Sequence, residues 1–204
     1  MTFVLGLTGS IGMGKSATAA IFRRFGVPVH EADAAVHRLY EGEAAPLIEA
    51  AFPGTAPAGI VDRVALSREV IGSPERMAQL EAIVHPLVRG EEERFLQEAL
   101  AARAPVAVLD IPLLFETGGE QRCDAVLVVT APPDVQRARV LARPGMSEDK
   151  FAAIAQKQMP DADKRRRGHF VVDTGRGFSS AERQIGDILR ALASRTGRVL
   201  RSAV

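Results

Sequence analysis

Residues 9–16 read Gly9-Ser10-Ile11-Gly12-Met13-Gly14-Lys15-Ser16, a complete G-x-x-x-x-G-K-S. Its surroundings constrain the fold more than its letters do. An apolar run, Phe3-Val4-Leu5-Gly6-Leu7, precedes it, and a helical run from Ala17 to Phe25 follows it. A strand, a glycine turn and a helix N-terminus in that order aim several backbone N–H groups at one point. The glycines let the backbone close around a polyphosphate. Lys15 adds a mobile positive charge for the β- and γ-phosphates, and the Ser16 hydroxyl is placed to ligate Mg²⁺. A glycine-rich turn that binds nothing has no need of the Lys-Ser pair.

Beyond the P-loop, short apolar runs alternate with longer helical stretches, the pattern of a parallel α/β sheet. Strands are expected at Phe3–Leu7, Val27–His30, Val106–Asp110, Ala125–Val129 and Phe170–Val172. The third and fourth are nearly continuous aliphatic runs, as strands buried on both faces are. Helices are expected over 15–25, 33–51, 63–71, 74–103, 133–142, 147–158 and 179–195. The stretch 34–105 between the second and third strands far exceeds a simple crossover of about a dozen residues. Pro46, Pro53-Gly54 and Pro57-Ala58-Gly59 interrupt it, so it reads as a mostly helical insertion within one domain. Pro86 suits the first turn of a restarted helix. The basic segment Arg195–Val204 is expected to fray.

Composition mainly excludes. A net charge of +1 gives no whole-chain argument for nucleic acid or membrane binding. No apolar run approaches a membrane span, and no basic n-region precedes an apolar core at the N-terminus. The single cysteine, Cys123, permits no intrachain disulfide and reads as a packed small side chain. These features point to the cytoplasm. His30, His37, His85 and His169 show no metal-site spacing with a cysteine. There is no N-K-x-D motif, no G-x-S-x-G elbow and no dinucleotide G-x-G-x-x-G.

In an open parallel sheet, ligands bind beyond the carboxyl ends of the strands. The second strand runs into Glu31-Ala32-Asp33 at the edge that carries the P-loop, so Asp33 is expected near the γ-phosphate. A carboxylate there can take the proton of an attacking hydroxyl. The same position also suits a helix N-cap. The third strand closes on Asp110, which either helps hold Mg²⁺ or caps a turn. Glu116 is a weaker metal candidate. Arg137, Arg139 and Arg143 cluster after the fourth strand. Arg139 and Arg143, four apart, are expected on one helix face, where two guanidinium groups clamp phosphate oxygens or lie in solvent. Pro144-Gly145 reads as a hinge, with the helix over 147–158 in a lid that excludes water. The run Lys164-Arg165-Arg166-Arg167 reads as solvated surface.

With these pieces in place, the chain resembles the dephospho-coenzyme A kinase family over nearly its whole length. The resemblance is carried by Gly6 to Ser16, the Asp33 segment, Asp62-Arg63 with Leu66, and Val84-His85-Pro86-Leu87. It continues through Asp110-Ile111-Pro112-Leu113-Leu114-Phe115-Glu116, Arg139, Arg143, Gln158 and Val171-Val172-Asp173. It implies an α/β P-loop kinase fold: a five-stranded parallel sheet flanked by helices in a single domain, 1–204. It further implies a helical acceptor-binding insertion over 34–105 and an ATP lid over 139–167. The implied reaction is ATP-dependent phosphorylation of the ribose 3′-hydroxyl of dephospho-coenzyme A, giving coenzyme A and ADP, with Mg²⁺. By the same resemblance, Gly9, Gly12, Met13, Gly14, Lys15, Ser16, Ala17, Arg139 and Arg143 hold ATP. Asp33 is the base, assisted by Lys15 and Arg143; Asp33, Arg63 and His85 face the acceptor; Ser16 and Asp110 face the metal. Three positions depart from the family: Ala17 for Thr, Glu31 for the first Asp of Asp-Ala-Asp, and Thr174 for the Asn after Asp173. The competing readings are a P-loop kinase acting on a nucleoside or nucleotide, and a nucleotide-dependent switch.

Overall fold

A computed structural model describes residues 2–201. Two compact units emerge: Met1–His30 with Ala99–Val204, and Glu31–Glu98.

The first unit is built on five strands: β1 (Phe3–Thr8), β2 (Val29–Glu31), β3 (Val106–Asp110), β4 (Ala125–Thr130) and β5 (Phe170–Asp173). They form one parallel sheet in the order β2-β3-β1-β4-β5. β1 lies between β3 and β4, with Leu7 opposite both Asp110 and Leu127. Every residue of β1 and β3 is buried, which accounts for their uninterrupted aliphatic character. Helix α1 (Lys15–Arg24) presents Ile21 and Phe22 to this sheet. Helix α9 (Phe178–Leu192) buries Ala181, Ile185, Ile188 and Leu192, one stripe at helical spacing. The remaining helices of this unit are α6 (Pro133–Leu141), α7 (Glu148–Gln156) and α8 (Asp161–Arg167).

The second unit contains α2 (Ala32–Tyr40), α3 (Ala44–Ala51), α4 (Arg63–Val70) and most of α5 (Pro74–Ala101). Leu39, Ile48, Phe52, Leu66 and Val84 form its separate core. Asp62 caps α4 by accepting the Val64 and Ala65 N–H groups. Glu49 accepts the Gly54 N–H at 2.7 Å and the Ala56 N–H at 2.5 Å, tying down the loop after α3.

Several expectations need correction. The helix expected over 33–51 is two, because the chain turns at Gly42, whose N–H bonds the Leu39 carbonyl; glycine is a poor helix interior. Pro86 restarts nothing and lies inside the continuous α5. A proline removes one N–H, and burial of Leu80 and Val84 in the turns before it keeps the helix together. Helix α8 was not expected, since its seven residues offer no apolar stripe and bury only Lys164. The basic C-terminal segment is anchored over part of its length: the Arg198 and Val199 N–H groups bond Asp124 Oδ1 at 2.5 and 3.1 Å. Residues 202–204 of that segment lie outside the described residues.

Candidate active site

The P-loop joins the end of β1 to the start of α1, and its geometry demands its glycines. Gly12 and Gly14 have φ of 79° and 90°, the left-handed region that side chains avoid. A Cβ at Gly12 would also sit 2.6 Å from Val140 and 2.9 Å from the Gln136 carbonyl, and one at Gly14 would sit 2.8 Å from the Thr174 hydroxyl. At Gly9 it would sit 2.3 Å from Val129. Lys15, Ser16 and Ala17 open α1, whose first turn carries no acidic side chain and no side-chain cap. Its unsatisfied N–H groups and dipole suit an anion.

The loop is braced from outside. The Ile11 N–H donates to Gln158 Oε1 at 2.9 Å, while Gln136 Nε2 donates to the Ile11 carbonyl at 2.7 Å. The Thr174 hydroxyl reaches the Met13 carbonyl at 2.9 Å. Arg139 donates to the Thr174 hydroxyl at 2.9 Å and to its carbonyl at 2.8 Å. Thr174 therefore joins the P-loop, β5 and α6. Only the departure from the family marked it in the sequence, and nothing there signalled Gln136.

Beside the loop, Lys15 Nζ lies 2.5 Å from Asp110 Oδ1. Asp110 is 3% exposed and Lys15 is 19% exposed. Asp110 thus ends β3 as a buried partner of the P-loop lysine. Glu116 is engaged elsewhere. Its Oε1 lies 2.9 Å from Lys164 Nζ and accepts the Met159 N–H at 2.7 Å. Burial pushes the Glu116 carboxyl up, but the Met159 N–H and the Lys164 ammonium outweigh it and hold it below its ordinary value. Lys164 is fully buried, and the rest of its run is paired as well: Arg165 with Asp161, Arg166 with Asp163, Arg167 with Glu120. Arg165, Arg166 and Arg167 are exposed, as the surface reading expects, and only Lys164 departs from it.

Arg139 and Arg143 do not share a helix face. Helix α6 ends at Leu141, and Arg143 lies exposed in the turn beyond it. The following Pro144 disfavours helical backbone at residue 143. Gly145 adopts a φ of 72° in the same turn. Ser147 caps α7, none of whose residues is buried.

In the second unit, Asp33 is the second residue of α2 and exposed. Glu31 occupies the N-cap, so Asp33 is not the cap. Arg63 opens α4 with its guanidinium 5.9 Å from the Tyr40 ring centre. His85 is exposed on α5, lining a shallow pocket with Glu81, Arg89 and Glu93, which removes the alternative of a buried structural histidine. Among the described residues no cluster of three His, Cys, Asp or Glu side chains forms a metal site, and no helix is long and apolar enough to cross a membrane.

Comparison with known proteins adds to this geometry. The sequence model of the dephospho-CoA kinase family matches residues 3–179. A dephospho-CoA kinase of Mesorhizobium japonicum is 57% identical over 194 residues, 95% of this chain and 98% of the relative. A crystal structure from Thermus thermophilus superposes with a TM-score of 0.81 at 40% identity, covering 94% of this chain and 98% of that one. A dephospho-CoA kinase from Campylobacter jejuni shares the fold, with a TM-score of 0.64 at 20% identity over 95% and 99% of the two chains.

Proposed function

Because the chain belongs to the dephospho-CoA kinase family, we infer that it transfers the γ-phosphoryl group of ATP to the ribose 3′-hydroxyl of dephospho-coenzyme A. The products are coenzyme A and ADP. The observation that carries this reading is the P-loop: three glycines with no room for a side chain, an open helix N-terminus, and Lys15 held on the buried Asp110.

Catalysis of this reaction is positioning plus charge stabilisation. The N–H groups from Gly12 to Ala17 cradle the phosphates, and Lys15 turns from Asp110 to the β- and γ-phosphates. Arg139 and Arg143 serve the nucleotide side, and Arg143 adds positive charge as the phosphoryl group moves. Asp33 accepts the 3′-hydroxyl proton as the new P–O bond forms and the bond to ADP breaks. Arg63 and His85 hold the acceptor, within the helical insertion 34–105. Residues 139–167 form the lid over ATP. Ser16 and Asp110 supply the hard oxygen donors that Mg²⁺ prefers. An ion held by them would supply positive charge to offset that of the phosphates. The reaction is placed in the cytoplasm, without nucleic acid or membrane.

The test offers the protein Mg·ATP and a panel of hydroxyl acceptors: dephospho-coenzyme A, nucleosides and nucleotides. Coenzyme A should form, with the other acceptors untouched. Turnover of a nucleoside in preference, or tight nucleotide binding with no acceptor consumed, would overturn the reading.

A further inference from the structure

Lys164 is 0% exposed, although burying an ammonium is costly and an apolar side chain would usually serve stability as well. Its surroundings explain what the charge achieves. Nζ donates to the Pro112 carbonyl at 3.2 Å and pairs with Glu116 Oε1 at 2.9 Å. The Pro112 carbonyl also accepts the Thr8 hydroxyl at 3.0 Å, and Thr8 is the residue before Gly9. Pro112 lies two residues past Asp110. Glu116 in turn accepts the Met159 N–H at 2.7 Å. The neighbour of Met159 is Gln158, whose side chain accepts the Ile11 N–H at 2.9 Å. Two consecutive residues therefore fasten the chain leaving α7 to both walls of the phosphate site: Gln158 to the P-loop, Met159 to the loop after β3.

We propose that Glu116 and Lys164 are positioning residues that fix the Asp110 loop, the P-loop and the segment 158–164 at one spacing. They touch neither nucleotide nor acceptor. Lys164 has three donors and no acceptor, so it can join two oxygens from different turns of one loop. Glu116 carries that constraint to Met159. The pair holds Asp110 opposite Lys15 and holds the base of the segment that follows Arg143. This inference rests on the kinase reading for its rate arm, but its binding arm needs only a nucleotide site.

The experiment compares wild type with Lys164→Met, the double variant Lys164→Met/Glu116→Leu, and Glu116→Gln. Melting temperature, dissociation constant for a fluorescent Mg·ATP analogue, kcat and KM for dephospho-coenzyme A are measured well below every melting point. Lys164→Met should lose stability, because it strands a carboxylate. The double variant should regain most of that loss, since no lone charge remains. Its kcat should still be down by about 10- to 100-fold, the scale of a small misplacement of catalytic groups. Nucleotide binding should be weaker and KM for dephospho-coenzyme A unchanged. Full recovery of kcat and nucleotide affinity along with the melting temperature would overturn the proposal and leave the pair purely structural. Should the double variant not fold, Lys164→Met decides, because it removes the join between the Pro112 carbonyl and Glu116: wild-type kcat and affinity in that variant would be equally fatal. Glu116→Gln keeps shape and an acceptor for Met159 and is expected to keep kcat and affinity near wild type. If wild type binds nucleotide but makes no coenzyme A, the acceptor assignment fails, and the affinities of the variants still decide the role of the pair.

Discussion

At position 15 one ammonium faces one buried carboxylate at 2.5 Å, and in the proposed reaction nucleotide draws that ammonium away. Lys15→Ala should lower kcat by roughly 10²–10³, as expected for loss of one preorganised contact. Near-normal turnover in steady-state assays, with a native melting curve, would show that the P-loop does not serve the reaction. Asp33→Asn should lower kcat by about 10²–10⁴, the range of a general base. Its melting temperature should hardly move, because Glu31 and not Asp33 sits at the N-cap of α2. Unchanged turnover with a lower melting temperature would mean that the carboxylate acts on the helix alone. The turn from β1 into α1 and the end of β3 at Asp110 were legible in the sequence because a motif and a strand end are local features. The partner of Arg139 was not. Thr174 is 35 residues away, and only the fold brings β5 beside α6. The pairing of Arg139 with Arg143 failed for a local reason, the proline that follows Arg143.

Among the elements, the sheet was the most legible part, since strands buried on both faces have nowhere to place a polar residue. The third strand was read to its last residue, at Asp110. The helices were less so. Gly42 ends one helix while Pro86 sits inside another, and the difference is set by tertiary burial that periodicity alone cannot weigh. The loop between β1 and α1 is constrained more tightly than either neighbour. Gly12→Ala would place an L-residue at φ 79° and drive its Cβ to 2.6 Å from Val140. The left-handed backbone alone costs about 1–2 kcal/mol. Mg·ATP affinity measured by titration should fall sharply while the second unit keeps its helical signal; wild-type affinity would contradict the geometry. In that second unit, Arg63→Ala should raise KM for dephospho-coenzyme A well above any effect on KM for ATP, the signature of lost acceptor binding. Equal effects on both substrates would remove Arg63 from the acceptor side.

On the scale of the whole molecule, acid should act on both units through carboxylates held in their charged form. Backbone N–H groups from Gly54 and Ala56 lower the Glu49 carboxyl from its ordinary value of 4.5. Glu116 is lowered against the opposing effect of burial. A depressed native pKa adds stability that is fully present above the unfolded value and disappears as pH falls through the folded one. Melting temperature should therefore hold at neutral pH and fall below about pH 4.5. Glu49→Gln and Glu116→Gln should each flatten that fall, and an unchanged acid slope in both would deny these carboxylates the role. The position of β1 at the centre of the sheet has a consequence in time. Phe3 pairs with Val106, and Leu5 pairs with Ala125. A ribosome adding about 5–20 residues per second makes the first-synthesised strand wait roughly 5–20 s for its neighbours. The whole of Glu31–Glu98, with its separate core, emerges during that interval. In nascent chains arrested before β3, the inserted unit should already resist protease while the P-loop strand remains open to cleavage. The P-loop strand then gains its sheet neighbours only when translation is more than half complete, after the inserted helices have been made and have folded.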